Sequence, residues 1–460
     1  MAVPSAKDLI NEPSCKHKQK DKSACKKAPE PGSSSGGCAF DGATITLLPI
    51  ADAAHLVHGP IGCWGNAWGS RNSLSSGPNL YKRGFTTDLS ENDIVLGGEG
   101  KLRRAILDIA RDHKPKAVFV YLTCVPAATG EDIESACKEA SKETGLPVIP
   151  VMAPGFLGSK VLGTRVAGDT LLRHVIGTVE PKKTTPFDIA LIGEYNVSGE
   201  LWDILPILNR LGIRVLSRIT GDGRFEEVAQ AHRARLSVLI CSNALINLAG
   251  GLKERYGIPF VEGSFFGLKE TNTLLLKIAQ GLGDPGLIKR TQDLTKAMTE
   301  RTLKTLEPVK KRLLGKKAVL YTGGVKSWSV ISALKDLGME VIATSTRKST
   351  DQDIAKAKEL LSDRGVLLTR ASAEELLELV RTRGADMLIA GGRNQYTALK
   401  GGVAFLDSNQ ERARGYAGYR GLIRLGLDLQ RALDNPVWNL VKSPAPWELA
   451  KEPAIASGAC

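Results

Sequence analysis

At 460 residues, 42% hydrophobic and 24% charged, the chain is too long for one core and divides into roughly two to four domains of ordinary globular composition. No apolar run approaches the ~20 residues of a membrane span and the N-terminus lacks the apolar core of a signal peptide, which predicts a cytoplasmic protein whose eight cysteines stay reduced and free to bind metal. The net charge of +13 is spread along the length without a dense basic stripe interleaved with aromatics, so an anionic cofactor or an acidic partner ranks above nucleic acid.

Residues 1–37 read as a flexible basic tail, with seven lysines against four acids and the run Ser33-Ser34-Ser35-Gly36-Gly37. Cys15, His17 and Cys25 lie in it at a spacing that fits no strong zinc pattern. From residue 40 short apolar runs, glycine-bearing turns and amphipathic helices alternate, the pattern of βαβ units and parallel sheets. The first block carries strands at 117–122 and 147–152 around a helix near 130–144. The second has a strand at 188–192, a turn at Gly193-Glu194-Tyr195-Asn196, a helix at 199–211 and a strand at 213–217. The third repeats it, with a strand at 318–321, a turn at Thr322-Gly323-Gly324, a helix at 328–337 and a strand at 339–343. Leu208-Asn209-Arg210-Leu211-Gly212-Ile213 and Leu334-Lys335-Asp336-Leu337-Gly338-Met339 share a helix end, a glycine stop and a strand start. The predicted fold is α/β: three Rossmann-like doubly wound domains with mostly parallel sheets, plus a disordered N-terminal tail. Their expected bounds are 38–184 (completed by 440–460), 185–314 and 315–439, with a charged bridging helix near 286–314.

Two cysteines stand in glycine-rich stretches, Gly36-Gly37-Cys38-Ala39-Phe40-Asp41-Gly42 and Gly59-Pro60-Ile61-Gly62-Cys63-Trp64-Gly65, read as turns with 24 residues between the thiols. A third, Cys124, closes an apolar run and falls at a strand's carboxyl end, where open α/β sheets gather ligands. Thiolates with bare backbone close by are how an iron–sulfur cluster is held. Three ligands leave a cubane one short. Either Cys241, at the end of the run 236–240, completes it, or a partner chain does; the partner is preferred, because a whole predicted domain separates Cys241 from the others. Cys137, inside a helix, reads as a buried small hydrophobe. His58, before Gly59-Pro60, reads as a packed helix-end residue rather than a ligand.

The chain has six histidines and none after His232, and no cysteine lies between Cys241 and Cys460. A metal held between the second and third domains therefore has Cys241 as its sole strong soft ligand there, a grip that lets go. Nucleotide chemistry is the competing reading. Neither Gly193-Glu194-Tyr195-Asn196 nor Gly323-Gly324-Val325-Lys326-Ser327 completes a dinucleotide fingerprint or a Walker A loop. Scarce histidine and the lack of a Gly-x-Ser-x-Gly elbow argue against a hydrolase.

Taken together, these stretches resemble the nitrogenase component 1 superfamily, in its cofactor-assembly branch, over nearly the whole chain from about 36 to 438. The resemblance is carried by Gly37-Cys38-Ala39-Phe40-Asp41-Gly42, His58-Gly59-Pro60-Ile61-Gly62-Cys63, Phe85-Thr86-Thr87-Asp88-Leu89-Ser90-Glu91 and Gly130-Glu131-Asp132-Ile133-Glu134. Tyr256-Gly257-Ile258-Pro259-Phe260, Gly263-Ser264-Phe265-Phe266-Gly267, Tyr321-Thr322-Gly323-Gly324-Val325-Lys326 and Asp434-Asn435-Pro436-Val437-Trp438 extend it.

The resemblance implies an α2β2 heterotetramer with a β-type scaffold subunit (NifN). It implies a 4Fe–4S cubane at the subunit interface, held on this side by Cys38, Cys63 and Cys124. Cys241 matches the ligand of the terminal iron of the cofactor or its all-iron (8Fe) precursor. Asn409 matches the position at which the dinitrogenase α-subunit anchors molybdenum with histidine, and Thr164-Arg165 falls where that subunit has a histidine pair. Imidazole is a good ligand for the apical metal and a carboxamide a poor one. The implied role is thus a scaffold rather than an enzyme: the precursor arrives from a radical enzyme (NifB), receives molybdenum and homocitrate with the ATP-using iron protein (NifH), and passes to apo-dinitrogenase. Arg165, Lys326, Arg393, Arg412 and Arg414 are candidates for a basic lining around anionic cargo. The alternative is the catalytic α subunit of a nitrogenase-like reductase.

Overall fold

The computed structural model describes residues 37–68, 83–240, 242–346, 349–361, 365–369, 371–409 and 414–444. The expected tail with Cys15, His17 and Cys25, and also Cys241, Arg412 and residues 445–460, lie outside them.

Among the described residues three sheets form, parallel throughout. The first contains β1 (Ala54–His58), β2 (Gly84–Thr86), β3 (Val118–Leu122) and β4 (Val148–Val151) in the order β2-β1-β3-β4. The second contains β5 (Asp188–Glu194), β6 (Arg214–Thr220), β7 (Leu236–Leu239) and β8 (Phe260–Glu262) in the order β6-β5-β7-β8. The third contains β9 (Lys317–Tyr321), β10 (Glu340–Ser345), β11 (Val366–Leu368), β12 (Met387–Ala390) and β13 (Ala404–Asp407) in the order β11-β10-β9-β12-β13. Each sheet starts in its middle and winds outward both ways, the doubly wound arrangement, so each has a switch point beside its first strand. The α/β expectation holds.

Parallel strands covered on both faces read as continuous apolar runs. Val118-Phe119-Val120-Tyr121-Leu122 is buried at every position. On β5 the faces split: Ile189 and Leu191 join a core shared with the third sheet, and Ile192 joins a core shared with the first. Smaller clusters cover the outer faces of the first and third sheets. The bridging helix runs Pro285–Leu313, 29 residues, or about 43 Å of rod. It is capped by Asp284 and sends Leu287, Leu306 and Leu313 into the core shared by the second and third sheets.

The repeated glycine stops are equivalent in detail. Gly212 and Gly338 both have positive φ, Ile213 N donates to Leu208 O, and Met339 N donates to Leu334 O. The helix Ala39–Leu47 has no counterpart in the sequence reading, because eight of its nine residues are buried and a helix wrapped on all sides shows no amphipathic period. It crosses the helix Lys160–His174 at backbone contact: a Cβ on Gly42 would lie 1.9 Å from Lys160 O, and one on Gly163 1.8 Å from Ala39 O.

Asp188 opens β5 fully buried and receives Arg214 Nε and Nη2, each at 2.6 Å, with Thr185 N at 2.7 Å and Thr185 Oγ1 at 2.6 Å. Burial alone would raise this carboxyl; the Arg214 fork and the Thr185 donors outweigh it and hold it below the ordinary carboxylate range. Asp188→Asn should cost about 2 kcal/mol at neutral pH, read from urea unfolding. A depressed folded-state pKa contributes stability above the unfolded value of ~3.9 and loses it as pH falls through the native one, so the gap between wild type and variant should close below about pH 4.

Candidate metal centre

Three thiols approach one another at the carboxyl edge of the first sheet, beside the switch point between β1 and β3. Cys38 is the N-cap of Ala39–Leu47 and is bridged in antiparallel fashion to Ser159. Cys63 lies in the first turn of the helix Ile61–Trp68, directly after β1, rather than in a turn. Cys124 opens the helix Cys124–Thr129 directly after β3. All three are partly buried. Gly155, in the 3-10 turn after β4, is their common neighbour: a Cβ there would lie 3.0 Å from Cys38 Sγ and 3.1 Å from Cys124 Sγ. Burial and the neighbouring thiols Cys124 and Cys38 push the Cys63 thiol up, and a hydrogen bond with Thr123 opposes them.

This donor set fits an iron–sulfur cluster: soft sulfurs from three elements around bare glycine backbone, one ligand short of four. Among the described residues no group of three or more His, Cys, Asp or Glu side chains closes on a single point as a mononuclear metal site would. Cys137 stands apart, fully buried on the outer face of the sheet with its thiol pushed up to about 12 by burial, an inert packing residue.

His58 is the last residue of a strand, not of a helix. It is fully buried; its Nε2 donates to Glu131 Oε2 at 2.7 Å, and its Nδ1 lies 3.1 Å from Thr87 Oγ1. Glu131 Oε1 accepts from Gly98 N at 3.2 Å. Thr123, Glu131 and Gly155 were not among the predicted site residues. The glycine-bearing stretch after the strand at 147–152 was the available signal for Gly155.

The second predicted site is described in part. Cys241 lies outside the described residues, between β7 and the helix Ser242–Tyr256; Ile240 N still donates to Ile192 O at 2.8 Å. Asn409 is exposed just past β13, its backbone N donating to Asp407 Oδ1 at 2.6 Å and its carboxamide against Gly391. Lys326 is half-buried in the first turn of Val325–Asp336, with Nζ 3.5 Å from Ser408 O and 5.9 Å above the Phe266 ring, so it spans the second and third sheets. Arg393 is exposed in the turn after β12, and Arg414 pairs with Asp428 at 3.5 Å. Arg165 is half-buried in Lys160–His174, and its carbonyl accepts from Asn247 Nδ2 at 2.8 Å. Lys326 and Asn409 thus share the edge formed by Ser408, whereas Arg414 turns to Asp428.

The model of the family described as "Nitrogenase component 1 type Oxidoreductase" matches residues 38–434. The chain belongs to the nitrogenase component 1 family. Within this family it is 58% identical over 446 residues to a protein of Nostoc sp. named "Nitrogenase iron-molybdenum cofactor biosynthesis protein NifE", covering 96% of this chain and 93% of that one. A protein of the same name from Klebsiella pneumoniae is 51% identical over 449 residues, covering 95% and 98%. Among solved structures, "Nitrogenase Cp1 at pH 6.5" superposes with a TM-score of 0.83 at 28% identity over 92% of both chains. No helix among the described residues is long and apolar enough to cross a membrane.

Proposed function

We propose that the chain is the α-type scaffold subunit on which the iron–molybdenum cofactor is built, holding an iron–sulfur precursor while molybdenum and homocitrate are inserted and then passing it to apo-dinitrogenase. The observation that carries this reading is the near full-length likeness to relatives named for biosynthesis of that cofactor. It is a maturation protein of the cytoplasm, not a catalyst.

In this reading Cys38, Cys63 and Cys124 hold one side of a 4Fe–4S cubane, which supplies one-electron chemistry. The β-type subunit (NifN) contributes the fourth thiolate. Ile61 and Phe156, beside Cys63 and Gly155, are 57% and 62% exposed, which suits a face covered by that subunit. The precursor, delivered by NifB, is cargo rather than a resident group. Cys241 ligates one end, and Lys326, Arg393, Arg412 and Arg165 offset the charge of cluster and homocitrate, whereas Arg414 is engaged by Asp428. The ATP-using iron protein (NifH) is the partner in the molybdenum step.

Asn409 is the residue that makes the grip releasable. Asn409→His adds a good ligand at the cargo's far end; even 1.4 kcal/mol of added binding slows release about tenfold. The variant complex should retain iron and molybdenum after incubation with apo-dinitrogenase, with activation of the latter reduced about tenfold or more. Unchanged transfer would remove the support for a one-ended grip. Metal analysis of the protein purified with its partner tests the whole reading: a colourless, iron-free complex would overturn it.

A further inference from the structure

The bridging helix presents an apolar and basic face at its C-terminal end. Thr302, Leu306, Val309 and Leu313 are buried, and the stripe beside them, Leu303, Glu307, Lys310 and Leu314, repeats the same spacing at the surface. Leu303 and Leu314 are 39% and 73% exposed and lie about 16 Å apart along the axis. With Lys304, Glu307, Lys310 and Lys311 they line an open groove. It carries three lysines against one carboxylate, Glu307, which pairs with Lys311 at 3.3 Å. Two exposed leucines among lysines suit an occupant that is apolar and acidic.

The groove ends at the edge of the third sheet where its strands begin. Leu314 packs on Gly338, two residues before β10: a Cβ on Gly338 would lie 3.2 Å from Leu314 Cδ1, and Gly315 N donates to Gly338 O at 2.9 Å. The end of the described chain reaches the same edge. Lys442 lies against Gly402, two residues before β13, where a Cβ would be 3.5 Å from Lys442 Cγ, and the chain is described two residues further, to Pro444. In the sheet order β10 and β13 are three strand spacings apart, about 14 Å. The five residues from Lys442 to Trp447 span up to about 17 Å, enough to bring Trp447 to Leu314. Residues 445–460 have the matching chemistry: Trp447, Leu449 and Ile455, with Glu448 and Glu452 against the single Lys451. Residues 1–37, with seven lysines against four acids, carry the groove's own sign of charge.

We propose that residues 445–460 dock in this groove, Trp447 against the exposed leucines and Glu448 and Glu452 toward the lysines. Seated there, the segment covers both leucines and fastens the helix that packs into the core shared by the second and third sheets. The expected domain bounds joined 440–460 to 38–184; docking joins 445–460 to the third sheet instead.

The test places the photoreactive p-benzoylphenylalanine at position 314 of the full chain, an exposed site where the label leaves the core intact. The protein is purified with its partner subunit and irradiated, and crosslinked peptides are identified by mass spectrometry. The expected product is a single chain crosslinked within itself, from position 314 to a residue of 445–460. Trp447→Ala should lower its yield about tenfold, the loss of one buried aromatic anchor. Glu448→Lys should lower it about threefold, with a smaller effect at high salt. Crosslinks to the partner subunit or to a second copy would assign the groove to that neighbour and overturn the proposal. So would crosslinks only to other parts of the same chain, or none at all. A yield unmoved by both Trp447→Ala and Glu448→Lys would overturn the docking chemistry assigned to the segment.

Discussion

Cys63→Ala is expected to abolish the proposed interfacial cubane: the complex with the partner subunit should lose that cluster's iron and its EPR signal, while the metal-free forms of variant and wild type unfold within a few degrees of each other. The asymmetry follows from where Cys63 stands. It occupies the first turn of an eight-residue helix at the edge of the sheet and is partly exposed, so truncating its sulfur opens little buried volume. In the proposed site it is one quarter of a four-thiolate set, and the two neighbours that would have to compensate, Cys38 and Cys124, are pinned by Ser159 and by the end of β3. An undiminished iron and EPR signal in the purified complex would refute the assignment.

Gly163→Ala should have the largest effect on the fold. The new methyl would lie 1.8 Å from Ala39 O and 2.6 Å from Ala39 C, and both are main-chain atoms, so no side-chain rotation relieves the overlap. The helices Ala39–Leu47 and Lys160–His174 must separate, at a cost of about 3 kcal/mol or more, read as a lowered midpoint in urea or thermal unfolding. Cys38 caps the first of these helices and its bridge partner Ser159 immediately precedes the second, so iron content should fall with stability. A stable, fully loaded Gly163→Ala complex would show that the crossing tolerates displacement and does not set the position of Cys38.

The sequence made the fold legible wherever a period or a stop was written locally. The glycine stops at Gly212 and Gly338, the long charged helix and the apolar strands were readable because each is specified within a dozen residues. The helix Ala39–Leu47 was not, since its burial comes from a partner more than a hundred residues away. The same distinction divides the site. Cys38, Cys63 and Cys124 stood out by residue type beside glycine or at a strand end. Thr123, Glu131 and Gly155 did not, because threonine, glutamate and glycine are common and only the parallel register of β1, β3 and β4 brings the segments after them to one edge. His58 reads from the sequence as a packing residue at a helix end; it is packed, but at the end of a strand and on the carboxylate of Glu131. The lack of soft ligands along the third sheet was readable from absence alone, whereas the sharing of one edge by Lys326 and Asn409 needed the sheet.

The helix Lys160–His174 touches the Cys38 helix through Gly163. Five residues on, Gly168 meets Leu245 and Asn247 of Ser242–Tyr256, the helix that follows Cys241; Thr164 Oγ1 reaches Ala244 O at 3.2 Å, just before the break in helical geometry at Leu245. An insertion or deletion of one residue inside it would rotate everything beyond by about 100° and carry Gly163 or Gly168 off its neighbour. The length of this helix between residues 163 and 168 is therefore fixed by two contacts at once. Length variation among natural or engineered versions of this chain should be absent from the five-residue interval that sets the helix capped by Cys38 against the helix Ser242–Tyr256.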